Sequence, residues 1–158
     1  TPAILGQSFQ VDLMKALKRY RTLFVCIGNS CRSPMAEAIA KARHADVIDA
    51  FSAGLGPAPI VQALTFACLR EQGVELDPTK RPQALAKSDW KSADLIVNMS
   101  GHGLLPVIPN YKKDILIWDI PDPIGQPMAV YRIARDLIDQ QVDALVDALR
   151  NGTRLPGL

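Results

Sequence analysis

Cysteine is scarce in this chain. Three cysteines in 158 residues cannot close a paired disulfide framework, and a chain of this length buries a core without one. Net charge is scarce too: a formal +2 gives no global argument for nucleic acid or an acidic membrane surface, and neither is expected as a partner. No apolar run approaches the roughly 18–20 residues that cross a bilayer. The opening TPAILGQSFQ lacks the charged-then-apolar layout of a signal peptide. Beside Cys26 and Cys31 stand only Cys68, His44 and His102, with no second pair at zinc-ligand spacing, so no metal is expected and nothing requires a cofactor. These absences favour a reducing, cytoplasmic setting, in which a sequence-close cysteine pair is chemical rather than structural.

What is present is an alternation of strand and helix. TLFVCI (22–27), DVIDAFSA (46–53), DLIVNM (94–99) and DILIW (114–118) read as strands. SPMAEAIAKARHA (33–45) reads as a helix with Ser33 as its cap and Pro34 at the first helical position. Residues 59–73 read as a second helix ended by Gly73, and 88–93 as one or two helical turns. Residues 128–150 read as a long helix with Val130, Ile133, Leu137, Val142, Leu145 and Leu149 as its apolar stripe. This order predicts an α/β domain over 22–158, a single three-layer unit with an open four-stranded parallel sheet and helices on both faces. Residues 1–21 form an N-terminal extension. Phe9, Leu13, Ala16, Leu17 and Tyr20 recur there at helical spacing, which predicts a helix over 7–21 packed on the domain.

In sheets of this kind ligands bind beyond the carboxyl ends of the strands, and CIGNSCRS falls there. Strand, Gly-containing loop and helix make a ready anion site, because loop N–H groups converge and the helix amino end adds its dipole. Arg32, six positions after Cys26, can offer two parallel N–H bonds to a tetrahedral anion. The same positive setting suits a thiolate at Cys26, and a thiolate beneath a bound phosphoryl group is an in-line nucleophile.

VCIGNSCRSPMAEA resembles the signature of the low-molecular-weight protein tyrosine phosphatase family, including its arsenate-reductase relatives. FSAGLG, DLIVNMSGH and DIPDPIG followed by a long helix are similar to that family as well, so the resemblance runs from about Thr22 to Arg150. It implies Cys26 as nucleophile, Arg32 as phosphate clamp, and a cradle of backbone groups through Ile27, Gly28, Asn29, Ser30, Cys31 and Arg32. Asn29 would hold the loop's shape, Gly28 would give it backbone freedom, and Ser33 would hydrogen-bond the thiolate. The family pattern places the general acid immediately before a proline, which matches Asp122; Asp119 is the other carboxylate within reach. Cys31 is either a redox partner that forms a reversible disulfide with Cys26 or a small side chain packed under the loop. Cys68 reads as core.

The chain departs from the family at the pocket walls. Ile124 stands where an aromatic usually follows Asp-Pro, and LGPAPI after the second strand also lacks one, although aromatic walls favour a phenolic substrate. The expected activity is a cysteine-dependent phosphatase hydrolysing phosphate monoesters, phosphotyrosine among them, through a phosphocysteine intermediate. Its partner would be a phosphorylated protein or small phosphomonoester, phosphate or sulfate would occupy the loop, and the protein would be a monomer or weak homodimer. Two alternatives stay open. One is an arsenate reductase using an external thiol, because NMSGHGLLPVIPN holds no relay cysteine. The other is a phosphate-loop binding or carrier module without turnover. Lys15, Lys18, Arg19 and Arg21 read as a solvated face or a docking patch. Lys80 and Arg81 read as solvated or as contacts for an acidic substrate, His102 as a loop residue near the site, and Trp90 and Trp118 as packing residues.

Overall fold

A computed structural model describes residues 18–158. Four strands, β1 (Tyr20–Cys26), β2 (Ile48–Gly54), β3 (Leu95–Asn98) and β4 (Asp114–Ile117), form one parallel sheet in the order β2-β1-β3-β4. Among the described residues there are three α-helices: α1 (Arg32–Arg43) between β1 and β2, α2 (Ala63–Arg70) between β2 and β3, and α3 (Met128–Asn151) after β4. The chain leaves β1 to one side for β2 and returns across it to β3, so the strand order reverses at the carboxyl end of β1. That is the position where open parallel sheets place their ligand crevice.

β1 is buried from both sides. Phe24 points into the larger core with Met35, Trp118, Tyr131 and Ile138, while Leu23 and Val25 point the other way. The three α-helices cover the first face. Two 3₁₀ turns, Leu85–Lys87 and Trp90–Ser92, cover the second together with the loop around Leu104, Ile108 and Tyr111. Both faces are thus closed, the second by short helical turns rather than full helices. Among the described residues, no helix is long and apolar enough to cross a membrane.

Three expectations change. The helix expected over 7–21 lies mostly outside the described residues, but its last two positions are strand. Tyr20 pairs with Ile48, and Arg21 bonds Ser92 and Asp49 while stacking 4.0 Å over the Phe51 ring, so sheet pairing overrides helical spacing there. In α3, Ile133 and Leu137 are exposed, and the buried stripe in that half is Tyr131, Ala134 and Ile138. Arg135 turns inward with it, donating to the Cys68 carbonyl and to Glu71. Finally, α1 begins at Arg32 with Cys31 as its N-cap and no side-chain cap, so Ser33 lies inside the first turn. Its hydroxyl is used by the loop instead, which leaves the first N–H groups of the helix open to an anion.

Candidate active site

The loop between β1 and α1 is shaped by what holds its carbonyls. Leu55 N–H donates to the Cys26 carbonyl, Gly56 to Ile27, Ala58 to Gly28 and Gln62 to Ser30, at 2.8 to 3.1 Å, and the Thr65 hydroxyl adds a second bond to Ser30. With its oxygens tied to the segment after β2, the loop keeps its N–H groups for an anion. Close approach makes this possible: a Cβ on Gly54 would stand 2.6 Å from the Ile27 oxygen and 2.7 Å from the Asn29 nitrogen. The sequence marked Gly54 only as a strand end; its tightness comes from a segment distant in sequence. The left-handed residue of the loop is Asn29, at φ 51°, rather than Gly28. Asparagine tolerates that region better than most residues, and here its side chain is fixed at both ends.

The direction of each hydrogen bond in that network follows from one carboxylate. Glu37, on α1, is buried and accepts from Ser52 Oγ at 2.7 Å. Ser52 then has only lone pairs to offer Asn29, whose Nδ2 donates to it at 3.0 Å and to Ser33 Oγ at 2.8 Å. Asn29 Oδ1 accepts from the Gln83 N–H at 3.0 Å, which settles the amide orientation. Ser33, already accepting from Asn29, has one hydrogen to give, with Cys26 Sγ 3.0 Å away and the Ala53 carbonyl 3.3 Å away as its two acceptors. Glu37, Ser52 and Gln83 escaped the sequence reading because they come from three elements; the burial of a lone glutamate in an amphipathic helix was the available signal.

Lys80 Nζ lies 3.0 Å from Glu37, as does Lys41 Nζ, so Lys80 is neither solvated nor free for a substrate. Burial is the largest influence on the Glu37 carboxyl and pushes its pKa up. Lys80, the Ser52 hydroxyl and Lys41 outweigh it, leaving the group below its ordinary value of 4.5. A carboxyl with a depressed folded pKa contributes stability above its unfolded value and loses it as pH falls through the folded one. The unfolding free energy is therefore expected to drop as pH falls below 4.5, and Glu37→Gln is expected to remove part of that drop while costing about 1–3 kcal/mol at neutral pH. Denaturant titrations of both proteins across the acid range test this; parallel pH profiles would refute it.

Arg32 is buried, and Nη1 donates to the Met99 carbonyl at 2.5 Å and the Ile120 carbonyl at 3.1 Å. Those carbonyls lie near the start of the segments after β3 and β4, so one guanidinium ties both loops to the cradle. Nη2 lies 3.4 Å from Asp122 Oδ2. Among the described residues Nε is buried with no hydrogen-bond partner, a donor suited to an incoming oxyanion. Asp122 is oriented by the Ile124 N–H, 3.1 Å from Oδ1, and is partly exposed at the mouth. Asp119 is exposed and lies outside the cleft lining, so of the two carboxylates only Asp122 is brought to the loop.

A cleft of about 190 Å³ opens over Cys26, Arg32 and Asp122, rimmed by Ile27, Ala58 and Ile124. Cys31 also borders it. Its thiol donates toward Tyr131 Oη at 3.6 Å, and burial, more than any other influence, pushes its pKa up. All three cysteines are free and buried; Cys68 sits in the core, its pKa pushed by burial to about 11. His102 is exposed, and its backbone closes a turn with Asn98 and Ser100. Trp118 is buried against Phe24 and Trp90 packs on Tyr111.

A parallel α/β sheet whose first strand delivers a cysteine into a phosphate-sized loop, with an arginine closing it, defines a cysteine-dependent phosphatase class working through phosphocysteine. The sequence profile of the low molecular weight phosphotyrosine protein phosphatases matches residues 21–155. The chain belongs to that family. It is 35% identical over 146 residues to a protein-arginine-phosphatase of Geobacillus stearothermophilus, covering 83% of this chain and 97% of the relative. It is 32% identical to a glutaredoxin arsenate reductase of a Synechocystis species, covering 80% and 95%. The solved structure of the YwlE arginine phosphatase from Geobacillus stearothermophilus superposes with a TM-score of 0.76 at 31% identity, covering 84% of this chain and 94% of that one.

Proposed function

We propose that the protein removes the phosphoryl group from a phosphorylated protein side chain or a small phosphomonoester, with Cys26 as nucleophile, Arg32 as clamp and Asp122 as acid and base. The observation that carries this reading is the set of three around one cleft: a thiol with a serine hydroxyl 3.0 Å away, a buried guanidinium with an unpartnered Nε, and a carboxylate 3.4 Å from that guanidinium. The phosphoryl oxygens take the loop N–H groups and Arg32. Cys26 Sγ forms the bond to phosphorus as the bond to the leaving atom breaks, and protonated Asp122 delivers its proton to that atom. Ionised Asp122 then draws a proton from water, which displaces the thiolate from phosphorus. Ser33, its hydroxyl beside the sulfur, stabilises the departing thiolate. The protein would work in the cytoplasm, where Cys26 stays reduced.

The test is phosphate release by reduced protein from p-nitrophenyl phosphate, a phosphotyrosine peptide and phosphoarginine, the last being the substrate class named for the Geobacillus relative. Asp122→Asn is expected to lower kcat/KM, which reads the transfer of the phosphoryl group to Cys26, about 10²–10⁴-fold on substrates whose leaving atom needs a proton. The loss should be smaller with p-nitrophenyl phosphate, whose leaving group needs none. Equal losses of kcat/KM on both would remove Asp122 from the acid role, and no release from any of the three would overturn the reading.

An arsenate reductase completed by an external thiol is the second reading. It is favoured by Cys31 bordering the same cleft as Cys26 and by the likeness to a glutaredoxin arsenate reductase. Arsenite formation dependent on added glutathione or glutaredoxin, without phosphate release, would put it first.

A further inference from the structure

The rim of the cleft carries information that the loop chemistry does not. Three segments build it: Ile27 from the loop itself, Gly56 and Ala58 from the segment after β2, and Ile124 from the segment after β4. Ile27 is 38% exposed and Ile124 45%, large aliphatic side chains left partly uncovered beside a charged floor. An exposed isoleucine is ordinary by itself, but two on the rim of one small cleft form an apolar collar for whatever carries the phosphoryl group.

No aromatic among the described residues is available to that collar. Phe24, Trp118 and Tyr131 are buried in the larger core, and Trp90 and Tyr111 pack together on the other face. Phe51 lies under Arg21, Tyr20 lies under Lys18 while packing on the core, and Phe66 also packs on the core. Gly56 and Ala58 are too small to support a ring face. A ring entering the cleft therefore finds only non-directional aliphatic contact and forgoes the extra attraction of an aromatic pair. A flexible methylene stem forgoes nothing, because contact with the isoleucines is all it can use.

We propose that the substrate carries its phosphoryl group on an aliphatic stem, and that Ile124 is the residue that withholds an advantage from aromatic leaving groups. This rests on the phosphatase reading above and adds the substrate class. Ile124 suits the role because only its backbone N–H orients Asp122, so its side chain is free to set selectivity without disturbing the carboxylate.

The experiment uses titration calorimetry of the whole reduced protein with n-pentylphosphonate and benzylphosphonate, two non-hydrolysable probes that share the charged head. Binding is read whether or not turnover occurs. For the wild type, pentylphosphonate is expected to bind at least as tightly as benzylphosphonate. In Ile124→Tyr, and independently in Ile124→Phe, the ratio is expected to move toward benzylphosphonate by about 2–10-fold, the size of one aromatic contact, with little change for pentylphosphonate. A wild type that binds benzylphosphonate more tightly than pentylphosphonate would overturn the inference, and so would a ratio that neither variant moves. p-Nitrophenyl phosphate turnover on the same samples tests the underlying reading separately, and failure of both phosphonates to bind would overturn the two together.

Discussion

Cys26→Ser is expected to fold and to bind phosphate while losing at least about 10⁴-fold in turnover of p-nitrophenyl phosphate. The substituted hydroxyl is smaller than the thiol and keeps a partner in Ser33, 3.0 Å from the sulfur it replaces, so the buried site accepts it. What is lost is nucleophilicity, because a serine hydroxyl at neutral pH has no adjacent general base here to remove its proton. The carboxylate nearest the site, Asp122, is paired with Arg32 on the leaving-group side. The thermal midpoint should stay near that of the wild type while kcat collapses, and a stable phosphoryl adduct on the peptide containing Cys26 should be trapped by acid quench from the wild type. Turnover above about one per cent of wild type would remove Cys26 from the nucleophile's position.

Arg32→Lys should cost about 10²–10³-fold in kcat although the charge is kept. Lysine has no planar fork. It cannot donate to the Met99 and Ile120 carbonyls and at the same time present an Nε–H and an Nη2–H to one phosphoryl group. Those two carbonyls would lose donors, which adds a stability loss of about 1–3 kcal/mol and loosens the loops after β3 and β4. Inhibition by inorganic phosphate should weaken in parallel with catalysis, since the same hydrogen bonds serve both. A variant that keeps phosphate affinity and turnover would show that only the charge matters.

Much of this site could be read in one dimension. Cys26, Arg32 and Ser33 lie within eight consecutive residues, and a strand followed directly by a helix brings them together whatever the rest of the chain does. The four strands were legible for a similar reason: short apolar β-branched runs between polar turns have few other uses. The long helix was legible as a helix, but its buried face was not. Ile133 and Leu137 recur at the same spacing as Tyr131, Ala134 and Ile138, and only packing against α1 and α2 decides between the two stripes. Arg135 shows why hydrophobicity misled, since an arginine on the buried stripe is satisfied by the Cys68 carbonyl and Glu71.

The sequence by itself determined the order of the strands, the loop after β1 and the placing of Cys26 and Arg32 at its two ends, because each depends on neighbours in the chain. Only the tertiary structure decided that Asp122 rather than Asp119 reaches Arg32 and that the Ser33 hydroxyl meets the Cys26 sulfur instead of capping α1. It alone revealed that Lys80 neutralises a buried glutamate. Each of these is a contact between residues far apart in sequence or a choice between competing partners. Such choices are settled by which groups are desolvated together, a quantity that exists only once the sheet and its covering layers have closed.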